Sequence, residues 1–336
     1  MAPVRVLQVL GDTDDVDDAR FALDLHGRLS ARGLEVRTMA LGPGRVGGLE
    51  SLVPTMSPSR RSLAAHTQLR REQRWADVVV LRGGGAASVA GLAGIGGAPP
   101  TVVALGEEAR RWATRPVPSR VRRLVDRGVA AVVVTDEAAA AGVTGPLGLH
   151  PGDLVSIPYG VDVRPRVTTP TARHAARELL GLPPEDPVAR FVGSAGSDDG
   201  AAIAARACQR SGVPLIGSDD GDPEVVAAAA DIAVLPTRRT CGPPRGLLLA
   251  ARDGAALVAP DSGGLALLVN GSTGRPVDRD EEAVTAALRA LAADPARLSA
   301  HGAAASERVR QDFDLEAVGD RWADLLTRAA AASAGS

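Results

Sequence analysis

The sequence predicts an α/β fold of two Rossmann-like domains, each a parallel sheet covered by helices. Three observations lead there. Short, fully apolar runs alternate with helix-patterned segments, and strands buried on both faces read as such runs. This rhythm passes through the chain twice, broken once by a Pro-, Arg- and Thr-rich stretch over 162–171. The length of 336 residues suits two domains of roughly 100–200 residues each.

In the first half, Val4–Leu10 reads as a strand, and Asp14–Arg32 as a helix with Phe21, Leu25 and Leu29 at helical spacing. Gly33 stops that helix, and Glu35–Leu41 forms the next strand. A helix ends over Leu69–Trp75, and strands follow at Asp77–Leu81, Thr101–Leu105, Val129–Thr135 and Val155–Pro158. After the linker the rhythm resumes with a helix at Ala172–Leu180. Strands are expected at Val188–Val192, Pro214–Gly217, Ile232–Leu235, Ala256–Ala259 and Gly274–Pro276. Helices are expected at Ala201–Ser211, Pro223–Ala230, Gly246–Arg252, Gly264–Val269, Glu281–Ala293 and Ala296–Phe313. The domains are thus 1–163 and 172–312, with a C-terminal helix over 313–332 that could pack back on the first domain. Two such domains imply an interdomain cleft, with ligands at the carboxyl ends of the strands.

Composition narrows the function classes. Hydrophobic residues are 45% and aromatic ones 2%, so the cores must be built from Ala, Val and Leu. A net charge of -2 gives no reason to expect nucleic acid as a partner. The sequence contains no Lys, so all 38 basic residues are Arg, as codon bias in a GC-rich genome would produce. Arginine density is therefore a weak pointer to phosphate sites. Cys208 and Cys241 form neither a disulfide framework nor a metal motif. His26, His66, His150, His174 and His301 show no ligand spacing, so neither metal nor cofactor is expected. No stretch of about 20 apolar residues occurs, and the N-terminus lacks the apolar core of a signal peptide. A cytoplasmic location is expected. Peripheral membrane contact stays open, because Arg60, Arg61, Arg70, Arg71 and Arg74 make a basic segment.

Several short stretches, in order, carry a resemblance. They are Ile157-Pro-Tyr-Gly-Val-Asp162, Arg177-Glu-Leu-Leu-Gly-Leu-Pro183, Phe191-Val-Gly193, Ala230-Asp-Ile-Ala-Val-Leu-Pro236, Ala256-Leu-Val-Ala-Pro-Asp-Ser-Gly-Gly264, Asn270-Gly-Ser-Thr-Gly274 and Phe313-Asp-Leu315. Together they resemble the family-4 glycosyltransferases of the GT-B fold. That resemblance implies a nucleotide-sugar donor held by the second domain and an acceptor on the first. It implies transfer that retains anomeric configuration without a metal. A departing nucleoside diphosphate builds negative charge, which cations and backbone N–H groups stabilise.

The usual donor-site charges are largely missing. Where the resemblance implies Arg and then Lys, the sequence has Ser194 and Asp199. Where it implies two glutamates with seven residues between them, it has Cys241 or Thr240, and Leu249. A third glutamate is replaced by Leu267, and Leu249 and Leu267 both read as apolar helix positions in a packed domain. Only 38 residues separate Gly193 from Asp231, so the base pocket is expected to be reduced. The donor-binding candidates that remain are Gly193, Ser194, Arg238, Arg239, Thr240, Gly242, Arg245, Gly263 and Gly264. Arg238, Arg239 and Arg245 are the replacement cations. In the first domain, Gly11, Asp12 and Glu107, with Glu108 beside it, line the expected acceptor side. Two readings follow: a retaining transferase with a degenerate donor site, or a non-catalytic GT-B scaffold that binds a partner glycosyltransferase or a sugar ligand.

Overall fold

The computed structural model describes residues 2–12, 16–44, 52–60, 62–93, 99–164, 170–193, 200–217, 223–237 and 242–334. The chain divides into two compact units. One joins Met1–Gly160 to Leu315–Ser336, and the other is Val161–Asp314.

Unit 1 is built on strands β1 (Arg5–Leu10), β2 (Glu35–Ala40), β3 (Val78–Arg82), β4 (Thr101–Leu105), β5 (Ala131–Val134) and β6 (Leu154–Ser156). They form one sheet in the order β2-β1-β3-β4-β5-β6, with every neighbouring pair parallel. β3, β4 and β5 are buried at every position, as expected for strands covered on both faces. The helices are α1 (Val16–Ala31), α2 (Leu63–Gln73), α3 (Gly83–Ala93), α4 (Glu107–Thr114), α5 (Ser119–Asp126) and α6 (Glu137–Leu147). β3 runs one residue further than its apolar pattern suggests, and so ends on a buried arginine, Arg82.

Unit 2 contains α7 (Pro170–Leu179), β7 (Ala189–Phe191), α8 (Gly200–Ser211), β8 (Leu215–Ile216), α9 (Pro223–Ala229) and β9 (Ile232–Val234). α10 (Arg245–Arg252), β10 (Ala256–Ala259), β11 (Gly274–Pro276), α11 (Glu281–Ala292) and α12 (Pro295–Asp312) complete it. Its five-stranded parallel sheet has the order β11-β10-β9-β7-β8. Between β7 and β9 the described residues contribute one strand, the edge strand β8, in keeping with the short spacing from Gly193 to Asp231. The helix expected at Gly264–Val269 is instead a 3-10 turn over Gly263–Leu267. Gly263 opens it at φ +57°, a conformation that a regular helix start would not use.

The last helix, α13 (Leu315–Ala334), returns to unit 1. Its Leu315, Val318, Trp322 and Leu326 share a core with Phe21, Leu25 and Leu29 of α1. Ion pairs from Arg28 to Glu316 and from Arg32 to Glu316 and Asp320 edge the contact. Gly160 sits where α13 begins: a Cβ there would lie 2.9 Å from the Leu315 Cα. Two stretches of the family resemblance, Ile157–Asp162 and Phe313–Leu315, are therefore neighbours in space.

Two further stretches also meet. Arg177 of α7 is 1% exposed and ion-pairs with Asp231, the residue before β9. Its other nitrogens donate to the carbonyls of Ala229 (3.2 Å), Pro183 (3.3 Å) and Pro184 (2.6 Å). Asp231 also accepts from the Val188 amide at 2.8 Å and pairs with Arg173. These two residues thus tie α7 to the sheet, and every nitrogen of the buried guanidinium has an acceptor.

Candidate functional site

In unit 2, the end of β7 meets the start of α10, and the segment after β9 meets the start of α8. Gly200 and Gly246 stand where they do because backbone occupies the space a side chain would need. A Cβ on Gly200 would lie 3.0 Å from the Pro236 carbonyl oxygen, and one on Gly246 3.1 Å from that of Val192. Gly193 is pressed against the Phe191 ring, 2.5 Å from where its Cβ would be. Its close approach is therefore to the protein's own ring. Gly242 takes φ +64° in the turn that leads through Pro243 and Pro244 to α10. Arg245, half-buried, is the first residue of that helix. Gly263 and the buried Gly264 follow β10. Ser194, Asp199, Arg238, Arg239, Thr240 and Cys241 lie outside the described residues.

The acidic positions that could have served a sugar or ribose are committed elsewhere. Asp253 receives two bonds from Arg252, at 2.7 and 3.0 Å, and both side chains are 7% exposed. Arg252 also donates to the Asp162 carbonyl at 3.2 Å. Leu249 is half-buried on α10. Leu267 departs from the expectation of a packed helix position: it is exposed on the 3-10 turn. Glycines before it prevent a full helix there, so the residue turns outward. Nearby on β7, Arg190 is buried, and its Nε has no acceptor among the described residues. Burial pulls its pKa below the ordinary arginine value, and the charge of Asp253 pulls it back up. Cys208 is also buried, and that burial pushes its thiol up to about 12, so it is not a nucleophile near neutral pH.

In unit 1, Gly11 and Asp12 follow β1. Gly11 lies against the start of α3, with its would-be Cβ 3.4 Å from the Ala86 nitrogen. Asp12 ion-pairs with Arg60. α3 opens on three glycines, Gly83-Gly84-Gly85, a run with no distinctive motif in the sequence. Its N-terminal amide at Gly84 donates to Glu108 Oε1 at 3.2 Å, so the protein supplies its own anion to that helix end. Trp112 covers the same glycine, leaving 2.9 Å for a Cβ. Glu108 is thereby a helix cap that also faces Arg111 at 3.7 Å. Glu107 opens α4, but its side chain lies outside the described residues.

A recess opens beside these elements, at the carboxyl ends of β3, β4 and β5. Asp18, Phe21, Arg82, Gly106, Thr135, Tyr159 and Trp322 are among its walls. Arg82 lies 5.0 Å from the Phe21 ring and 5.8 Å from the Trp322 ring, and ion-pairs with Asp18. Phe21 and Tyr159 meet edge to face at 5.1 Å. Arg82 Nη1 and Trp322 Nε1 are both buried without an acceptor among the described residues. Leaving such a donor unmet costs about 1–3 kcal/mol. None of Asp18, Arg82, Tyr159 or Trp322 stood out in the sequence as a site residue. The one available signal was an arginine directly following the apolar run Val78–Leu81.

Comparison with known proteins agrees with this architecture. Residues 19–164 match the model of the family described as Glycosyltransferase Family 4. No curated protein sequence matches the chain. Among solved structures, sucrose-phosphate synthase from Thermosynechococcus elongatus superposes with a TM-score of 0.76 at 16% identity, covering 98% of this chain and 100% of its own. Anabaena HepE in complex with UDP-glucose gives 0.78 at 15% identity over 96% of this chain and 99% of its own. A glycosyltransferase from Rickettsia africae gives 0.75 at 14% identity, over 98% and 99%. Within the first unit, residues 19–164 are thus similar to that family, and the fold of the whole chain is GT-B.

Proposed function

We propose that this GT-B protein binds a nucleotide sugar on unit 2 and transfers the sugar, with retention, through a donor site stripped of its usual charges. The observation that carries the reading is Arg245 at the first position of α10, next to Gly246, which abuts the Val192 carbonyl just after β7. The helix N-terminus and the guanidinium both favour an anion there, and Arg238 and Arg239 immediately precede it in sequence. Likeness to HepE, solved with UDP-glucose, supports the ligand class. Titration with UDP, ADP, GDP and dTDP tests it. Saturable binding of at least one, weakened tenfold or more by Arg245→Ala, is the expected result. Absence of binding to all four would sink it.

A second reading is a non-catalytic scaffold that binds a sugar ligand or a partner glycosyltransferase. It is favoured by the commitment of Glu108 to the start of α3 and of Asp253 to Arg252, and by leucine at 249 and 267. Each electrostatic contact missing from a transition state costs about 2–4 kcal/mol. Nucleotide binding with no turnover of any nucleotide sugar, and co-purification with a second transferase, would select it.

A further inference from the structure

We propose that the face of unit 1 formed by α5 and the C-terminal end of α3 docks on a membrane surface that carries anionic lipid headgroups. The argument uses only unit 1 and stands whether or not unit 2 binds a nucleotide. From Arg110 to Arg127 the sequence holds seven arginines and a single acid, Asp126. The chain as a whole carries 40 acidic and 38 basic residues, so its composition does not explain this skew. All seven arginines are exposed.

Elsewhere exposed arginines are matched to carboxylates: Arg206 and Arg210 both reach Glu281, and Arg310 reaches Glu307. On α5, Arg120, Arg122 and Arg123 make no ion pair among the described residues. Helix stability does not call for them either. Arg120 lies in the first turn of α5, which has no acid, and the helix dipole disfavours a cation there. Arg123 and Arg127 stand four positions apart, a like-charge spacing that weakens a helix.

The other side of α5 fixes it in place. Val121 and Leu124 are buried, and α5 crosses α3 so closely that a Cβ on Gly91 would overlap the Arg120 carbonyl oxygen. Next to Gly91, Leu92 stands 43% exposed. Arg127 donates to the Gly91 carbonyl at 3.0 Å, and Arg70 of α2 to that of Ala93 at 2.8 Å, so guanidiniums hold the chain on either side of this leucine. Cations around an exposed apolar residue suit a lipid interface. Headgroup phosphates accept from the guanidiniums, and the leucine enters the acyl boundary. A convex helix face is a poor seat for an extended peptide. Trp112, the one aromatic residue of the segment, is buried, so it cannot serve as a stacking platform for bases.

The test is co-sedimentation of the full chain with phosphatidylcholine vesicles, with and without phosphatidylglycerol. Binding is expected only where phosphatidylglycerol is present, and should fall as salt is raised. The triple variant Arg120→Gln, Arg122→Gln, Arg123→Gln changes exposed positions alone, and its circular-dichroism melt establishes that it folds. It should bind about tenfold more weakly or worse, and Leu92→Ser severalfold more weakly. A charge-matched control, Arg206→Gln, Arg210→Gln, Arg310→Gln, should bind as the parent does. If the α5 triple does not fold, Arg122→Gln decides against the same control. Equal binding to both kinds of vesicle, an equal loss in the control, unchanged binding of the α5 variant, or binding to heparin or DNA but to no vesicle overturns the proposal. Nucleotide binding at Arg245 stands or falls separately.

Discussion

Arg177 and Arg82 are both buried arginines, each paired with an aspartate more than fifty positions away in sequence. In unit 2, backbone carbonyls from the turn at Pro183-Pro184 and from Ala229 complete the guanidinium of Arg177. In unit 1, Arg82 ends its strand beside a recess, among aromatic rings, with one nitrogen left over. The same chemical pair therefore does different work. One fastens a helix to a sheet. The other ends a strand among aromatic rings, with one nitrogen that no described residue accepts. A recognisable family motif can thus be structural, while a residue outside every motif lines the recess.

The contrast can be broken most sharply at Asp231. Asp231→Ala leaves Arg177 buried and unpaired, and should cost about 3–5 kcal/mol in urea unfolding. A loss under about 1 kcal/mol would mean that the carbonyls alone suffice and that the pair is not the fastening. Gly160→Ala tests the junction between the resemblance motif and α13. With backbone 2.9 Å from the new methyl, a loss of about 1–3 kcal/mol is expected in thermal melting. An unchanged melt would show that α13 can shift freely at its start.

Trp322→Phe sharpens the other side. Its Nε1 has no acceptor among the described residues, so the stability cost should be only the lost packing volume, about 1–2 kcal/mol. A much larger loss would reveal a structural bond at that nitrogen.

The smallest effect is a pH dependence at the α1–α13 edge. The Arg32 guanidinium, hydrogen-bonded to Asp320, holds that carboxyl below its ordinary value of 3.8. A depressed folded value means the stabilisation is fully present above the unfolded value. It is lost as pH falls through the folded one. Asp320→Asn should therefore lower the melting temperature slightly at pH 6, and by progressively less as the pH falls below 3.8. Equal effects throughout would exclude an ionic contribution.

Much of the fold was legible because burial on both faces writes itself as unbroken apolar runs. Val78–Leu81, Thr101–Leu105 and Ala256–Ala259 needed no tertiary information. The helix start at Val16 and the stop at Gly33, at φ +83°, were equally local. The turn at Gly263–Leu267 has an apolar spacing that mimics a helix, and so was not legible as a 3-10 turn. Most of the unit 1 site was not legible. Glu108 reads as an acid at a strand end, and only the fold brings Gly84's amide to it. Trp322 lies 240 positions after Arg82 in the chain, and no periodicity connects them.

The sequence by itself determined two parallel α/β units, their order, and the thinning of charges at the expected donor positions, because strand burial and residue identity are local properties. Tertiary structure alone decided which charges are spent. Whether an arginine is a fastening, as at 177, or retains an open donor, as at 82, depends on which carbonyls the rest of the chain brings within about 3 Å of its nitrogens. That proximity is set by helices packing across hundreds of residues, and no reading of neighbours along the chain contains it.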